Sequence, residues 1–225
     1  MTLYLKELTP FAQGGNRQCF VHPDNPNRCI KVRRPDFTLE DCRRKKGFPK
    51  NLKPLSSFDD NLEEFKVITD LHKMIGGDLF SHIYQCFGFV ETDLGAGLET
   101  ELVLDDDGRI SLSLKQYIWE YGYSDACKKA VADLIGFWEH NLIPSRDILT
   151  HNVLVQQGAH QDIKRLVVID GLGSASAIPF QIFPTFVKKR AVSNKVERFK
   201  YRIDEFVAKC ESGKAPSKVG MLNYR

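Results

Sequence analysis

No C-x-x-C pair occurs among the six cysteines, which stand at positions 19, 29, 42, 86, 127 and 210. That scatter excludes the usual ligand spacing of a zinc site and the framework of a stapled secreted fold, so reduced, packing thiols are expected. Also missing is any apolar run near the roughly 20 residues that a membrane-spanning helix needs, so no membrane span is expected. The opening stretch MTLYLKELTPFAQGG lacks a charged-then-apolar leader followed by small residues. Export is therefore not expected, and a cytoplasmic location is. Net charge is only +3, so composition by itself asks for neither nucleic acid nor an anionic membrane. Internal repeats and low-complexity blocks are absent too.

What is present suits a soluble globular chain. With 42% hydrophobic and 27% charged residues over 225 positions, a core can form in one large domain or two small lobes. Up to about Val32 the β-like runs RQCFVH and RCIKV flank the turn formers PDNPN, a hairpin led in by the glycine turn of FAQGG. A basic segment from Arg33 to Ser57 follows, poor in apolar residues, and reads as an exposed insertion or mobile loop. SSFDDNLEEFKVITDLHKMIGG has helical spacing, with Leu62, Phe65, Ile68 and Leu71 on one side. IYQCFGFVET and LETELVLDDDG read as strands, with an acidic break at Asp105 to Gly108. Helices are then expected over Leu112–Trp119 and Asp125–Asn141, the second with Ala130, Leu134 and Phe137 inward. A small hairpin, VLVQ with RLVVID, precedes a closing amphipathic helix over Lys188–Lys209 whose stripe is Val192, Val196, Phe199, Ile203 and Phe206. Trp119 and Trp138 are expected in a core or between lobes. The order is an α+β plan.

The chemistry concentrates in SRDILTHNVLV. Asp147 and Asn152 have the spacing D-x-x-x-x-N ahead of a strand, and a second strand, LVVID, ends in Asp170 and Gly171. Taken alone, Asp147 or Asn152 reads more simply as a capped turn. Three further stretches change that weighing. Lys31 ends the strand RCIKV, Gly14 and Gly15 lie upstream in AQGGNRQCF, and Glu64 sits in the apolar spacing of EEFKVITDL. Five elements in this order resemble the protein-kinase-like phosphotransferases. That resemblance implies Lys31 on nucleotide phosphates, Glu64 pairing it, and Gly14 and Gly15 in the phosphate-covering loop. It also implies Asp147 as base, with Asn152 and Asp170 as oxygen ligands for Mg²⁺, and ATP as the nucleotide.

Within that superfamily, IPSRDILTHNVLV followed by LVVIDGLG is most similar to the bacterial PhoP-regulatory-network protein YrbL family, over nearly the whole chain. The family implies a cytoplasmic bacterial protein with a kinase-like fold and points to no particular acceptor. The expected architecture is a two-lobed protein-kinase-like fold forming one kinase-like domain. It has a strand-rich N-lobe over 1–104, holding the basic insertion at about 33–57, a hinge at 105–109, and a small helical C-lobe over 110–225.

Departures from the kinase pattern shape the functional reading. Ala12 and Arg17 occupy positions where kinases usually have glycine, and Arg17 could contribute charge to the phosphates instead. No A-P-E segment follows Asp170; GSASAIPFQIFPTF passes quickly to the last helix, which suits a small-molecule, lipid or sugar acceptor better than a protein. An ATP- and Mg²⁺-dependent phosphotransferase is the leading reading, and a pseudokinase-like binding module the alternative. A third class, nucleic-acid binding through RRKK (Arg43 to Lys46) and KKR (Lys188 to Arg190), competes with the commoner solvated charged face and is not the expected one. His151 is a candidate for touching substrate or for an ordinary hydrogen-bonded loop histidine.

Overall fold

Turn formers end each early strand, and the strands between them pair into one sheet. The computed structural model describes residues 2–48, 50–160, 162–173, 180–217 and 220–224. Two compact units form, one from Met1–Asp70, Gln85–Leu102 and Leu222–Arg225, the other from Leu71–Tyr84 and Val103–Met221.

In the first unit β1 (Ala12–Gln13), β2 (Arg17–His22), β3 (Asn25–Arg33), β4 (Cys86–Thr92) and β5 (Gly95–Glu101) form an antiparallel sheet in the order β1-β2-β3-β5-β4. The β2–β3 hairpin is the one expected. Ile30 and Val32 are fully buried and pack with Leu3, Leu5 and Phe20. A Cβ at Gly97 would run into Ile30, so a glycine on β5 is what lets it lie close under β3.

The basic segment corrects its expectation as a loop. It contains helix α1 (Leu39–Lys46), opened by a capping box in which Asp41 N donates to Thr38 Oγ1 at 3.2 Å and Thr38 N donates to Asp41 Oδ2 at 2.9 Å. Glu40 and Asp41 in its first turn and four cations in its last match the helix dipole. Cys42, buried on the inner side, anchors it.

Helix α2 (Asp60–Ile75) buries Ile68 and Leu71 as expected but leaves Leu62 47% exposed. Its buried stripe begins instead with Asn61 and Glu64, which share a face with Ile68 and Leu71 by helical spacing. Polar residues can hold that face because they have buried partners there.

The second unit has a three-stranded sheet in the order β6-β7-β8: β6 (Leu112–Ser113), β7 (Val153–Gln157) and β8 (Ile163–Val168). Three helices accompany it, α3 (Leu114–Tyr121), α4 (Asp125–His140) and α5 (Thr185–Glu211). Ser113 and Ser124 cap α3 and α4, accepting from Gln116 N at 3.2 Å and Cys127 N at 3.3 Å. Ala130, Leu134 and Trp138 point inward on α4, whereas Trp119 is 37% exposed, which removes the core half of its expected place in a core or between lobes. On α5 Val192, Val196, Phe199 and Ile203 are buried, and Phe206 is half-buried. Asp105, in the acidic break, is buried and accepts from Ser111 Oγ at 2.6 Å and Gln157 N at 2.9 Å, so it closes a turn.

The six cysteines are free thiols, and burial pushes Cys29 up to about 12. Among the described residues no helix is long and apolar enough to cross a membrane. Residues 174–179, six of the fourteen in the stretch GSASAIPFQIFPTF expected in place of an activation segment, lie outside the described residues.

Candidate active site

The predicted site residues fall into two groups, one in each unit. In the first unit Lys31 sits mid-sheet on β3 and is only 6% exposed. A buried ammonium needs a partner, and α2 supplies one: Lys31 Nζ donates to Glu64 Oε1 at 2.9 Å. Burial pulls the Lys31 pKa down and the Arg17 charge adds to that, but the Glu64 carboxylate, helped by Cys19 and Cys29, leaves the value raised. Glu64 also takes a second cation, since Arg17 Nη1 donates to Glu64 Oε2 at 2.6 Å and to Asn61 Oδ1 at 3.1 Å. Asn61 Nδ2 in turn donates to the Lys31 carbonyl at 2.8 Å. Asn61 is a site residue that sequence reading missed; the available signal was a polar side chain one turn before Glu64 on the same face.

Gly14 and Gly15 are exposed in the turn between β1 and β2, closed by Gly14 N donating to Arg17 O at 2.9 Å. Neither glycine has a positive φ, and a Cβ at Gly14 would stand an ordinary 3.8 Å from Arg17 O. The fold itself therefore tolerates a side chain at Gly14. Arg17, expected to lend its charge to phosphates, directs its guanidinium onto α2.

In the second unit the loop before β7 and the turn after β8 are laced together. Arg146 N donates to Gly171 O at 2.8 Å, Gly173 N to Pro144 O at 2.9 Å, and Ile169 N to Asn152 O at 2.9 Å. Gly171 has φ +85°, and a Cβ there would run into the Asp147 carbonyl oxygen, so this position requires glycine twice over. The lacing brings Asp147, Asn152 and Asp170 onto one turn. Asp170 is exposed, and its Oδ1 accepts from Gly171 N at 2.6 Å.

Asp147 meets a partner that the sequence did not suggest. Arg202, on α5, donates from Nη1 to Oδ1 at 2.7 Å and from Nη2 to Oδ2 at 2.6 Å, and Nη1 also reaches the Ile148 carbonyl at 3.2 Å. Partial burial would raise the Asp147 carboxyl, but its hydrogen bonds to Arg202 and the charges of Arg202, Lys195 and Arg198 hold it below the usual carboxylate range. His151 is half-buried and packs where a Cβ on Gly220 would strike it, as an ordinary loop histidine does. Burial first, and the Lys115 charge second, lower its pKa.

A lysine on the third strand paired to a glutamate on the following long helix, and a D-x-x-x-x-N loop laced to an Asp-Gly turn, define a protein-kinase-like fold. The chain belongs to the family described as PhoP regulatory network protein YrbL, which it matches over residues 3–204. It is similar to protein YrbL of Escherichia coli (strain K12) and of Shigella flexneri, each 24% identical over 200 residues that cover 87% of this chain and 85% of the relative. Among solved structures it overlaps Rad53 1–466 in complex with AMP-PNP at a TM-score of 0.49 and 14% identity, covering 92% of this chain and 51% of that one. The chain thus spans about half the length of that structure. A mutant of the Mycobacterium tuberculosis PknI kinase domain overlaps at 0.45 and 13%, covering 93% and 74%. Overlaps at this level add nothing to the strand order and pairings above.

The charge arrangement makes two predictions. Glu64→Gln leaves two buried cations facing each other and should cost about 3 to 5 kcal/mol, whereas Lys31→Met leaves Glu64 with Arg17 and should cost about half as much. Urea unfolding of the two variants checks the order; equal losses would contradict the shared-carboxylate arrangement.

For Asp147 the lowered folded-state value means that the ion pair stabilises above the unfolded carboxyl value of about 3.9 and that this is lost as pH falls through the folded one. Arg202→Gln should therefore cost about 1 kcal/mol near neutral pH. Its difference from wild type should shrink as pH falls from the unfolded carboxyl value of about 3.9 through the lower folded-state one, measured by denaturant midpoints across that range.

Proposed function

We propose that this protein is an ATP- and Mg²⁺-dependent phosphotransferase acting on a hydroxyl acceptor in a bacterial regulatory setting. The observation that carries the reading is the Lys31–Glu64 pair together with the backbone bonds that join the loop of Asp147 and Asn152 to the turn of Asp170. Lys31 would bind the nucleotide phosphates, and the exposed Gly14 and Gly15 backbone would cover them, with Arg17 able to join if it leaves Glu64. The open space at Gly14 fits that role, because the fold itself does not require a glycine there.

The donor types fit a magnesium ion as well. Asn152 and Asp170 offer an amide oxygen and a carboxylate, and Mg²⁺ completes its shell with substrate phosphates and water. Among the described residues no cluster of three or more His, Cys, Asp or Glu could hold a metal unaided, so the phosphates would have to share it. Such an ion supplies neutralisation of phosphate charge. Asp147, kept ionised, accepts the acceptor's hydroxyl proton as that oxygen bonds to the γ-phosphorus. The bond from phosphorus to the β–γ bridging oxygen breaks, and its electron pair leaves with ADP. A small-molecule, lipid or sugar acceptor suits the short segment between Asp170 and α5.

A second reading, a pseudokinase-like binding module, draws on one observation: both Asp147 oxygens are engaged by Arg202. One experiment separates the two. Millimolar ATP with Mg²⁺ should raise the melting temperature by about 5 °C if it stands a hundredfold above Kd, and Asp170→Ala should remove the metal-dependent part. Loss of γ-phosphate should follow with cell extract as acceptor and be abolished in Asp147→Asn. A metal-dependent shift with no turnover selects the binding module, and no shift at all rejects both nucleotide readings.

A further inference from the structure

Spacings of three and four put Lys195, Arg198 and Arg202 on one stripe of α5. That stripe faces the loop carrying Asp147. Lys195 Nζ donates to the Arg146 carbonyl oxygen, Arg202 grips both Asp147 oxygens, and Arg198 is exposed beside them, close enough for its charge to act on Asp147. Three cations thus converge on one carboxylate. Glu197, which lies among them in sequence, pairs with Lys200 at 2.9 Å. A merely solvated face would balance its signs, as the exposed Lys128–Asp125 and Lys200–Glu197 pairs do. Here the positive surplus is aimed at a loop whose aspartate is the candidate base.

We infer that this stripe binds a phosphate group already present on the acceptor, so that the substrate is a phosphorylated hydroxyl compound. The inference rests on the phosphotransferase reading for the word acceptor, but not for the anion site itself. An arginine fork that holds a carboxylate at 2.7 and 2.6 Å has the geometry to hold a phosphate in the same two-bonded way. A dianion brings more charge than the single carboxylate it displaces; Arg198 is exposed for the remaining oxygens, and Lys195 could join by leaving the Arg146 carbonyl. Displacement also frees the Asp147 carboxylate to take a proton, so the loop becomes competent only when such an acceptor is seated.

The test uses the full chain without nucleotide and inorganic phosphate as probe, titrated calorimetrically at constant ionic strength. Wild type should bind phosphate in the millimolar range. Arg198→Gln, whose side chain is exposed, and Arg202→Gln should each weaken binding about tenfold, and Lys128→Gln, in a surface pair on α4, should leave it unchanged. Arg198→Gln keeps the measurement decisive should Arg202→Gln fail to fold. No phosphate binding, equal binding by wild type and Arg198→Gln, or binding lost in Lys128→Gln would each overturn the inference. Acetate competing as well as phosphate would overturn it in favour of a carboxylated ligand. Variant-sensitive phosphate binding in a protein that transfers nothing upholds the anion site and sinks only the phosphotransferase reading.

Discussion

Placing the Lys31 ammonium in the middle of a sheet is the constraint on which the first unit depends. A charge so deeply buried would be expelled or neutralised unless a carboxylate met it, and the carboxylate has to come from an element that can reach the buried face of β3. Helix α2 does this with Glu64 and ties itself down with Asn61, whose amide closes onto the Lys31 carbonyl. Arg17 then reaches across from β2 to the other Glu64 oxygen. One glutamate thereby fixes three segments, β2, β3 and α2, and the polar face of the helix costs little because each of these atoms has a partner.

The second unit solves a different problem with backbone. A loop carrying Asp147 and Asn152 has carbonyls and amides that no helix or sheet satisfies, and the turn after β8 provides their partners at Arg146, Asn152 and Pro144. Gly171 permits that approach through its left-handed backbone and missing side chain. The loop and the turn, which the sequence pattern had already grouped, are therefore held together by backbone hydrogen bonds.

Much of this was legible and some was not, for identifiable reasons. Gly, Pro and Asn clusters mark strand ends locally, so the order of strands and helices could be read, as could the helix carrying Glu64. Helix α1 was missed because one buried residue, Cys42, anchors it and its remaining positions are charged. Leu62 was given the inner face that Asn61 occupies because hydrophobicity was counted without knowing that a buried asparagine would find the Lys31 carbonyl. Arg202 was out of reach for a different reason. It lies 55 residues from Asp147, on a helix whose apolar stripe could be read but whose polar face gave no sign of what it would meet.

Net charge illustrates the same limit in energetic terms. A total of +3 by itself asks for neither nucleic acid nor an anionic membrane, yet that total averages over surface pairs that cancel and sites that do not. Glu64 faces two cations and Asp147 faces three, and these surpluses are partly shielded from water, where a charge acts more strongly than on the open surface. Each surplus lies at a carboxylate that the kinase-like pattern marks, while the exposed charges of α1 pair mainly along their own helix. Under the proposed reading, anion recognition would be a matter of where arginines are held, and the carboxylates that hold them are the same groups the chemistry would require.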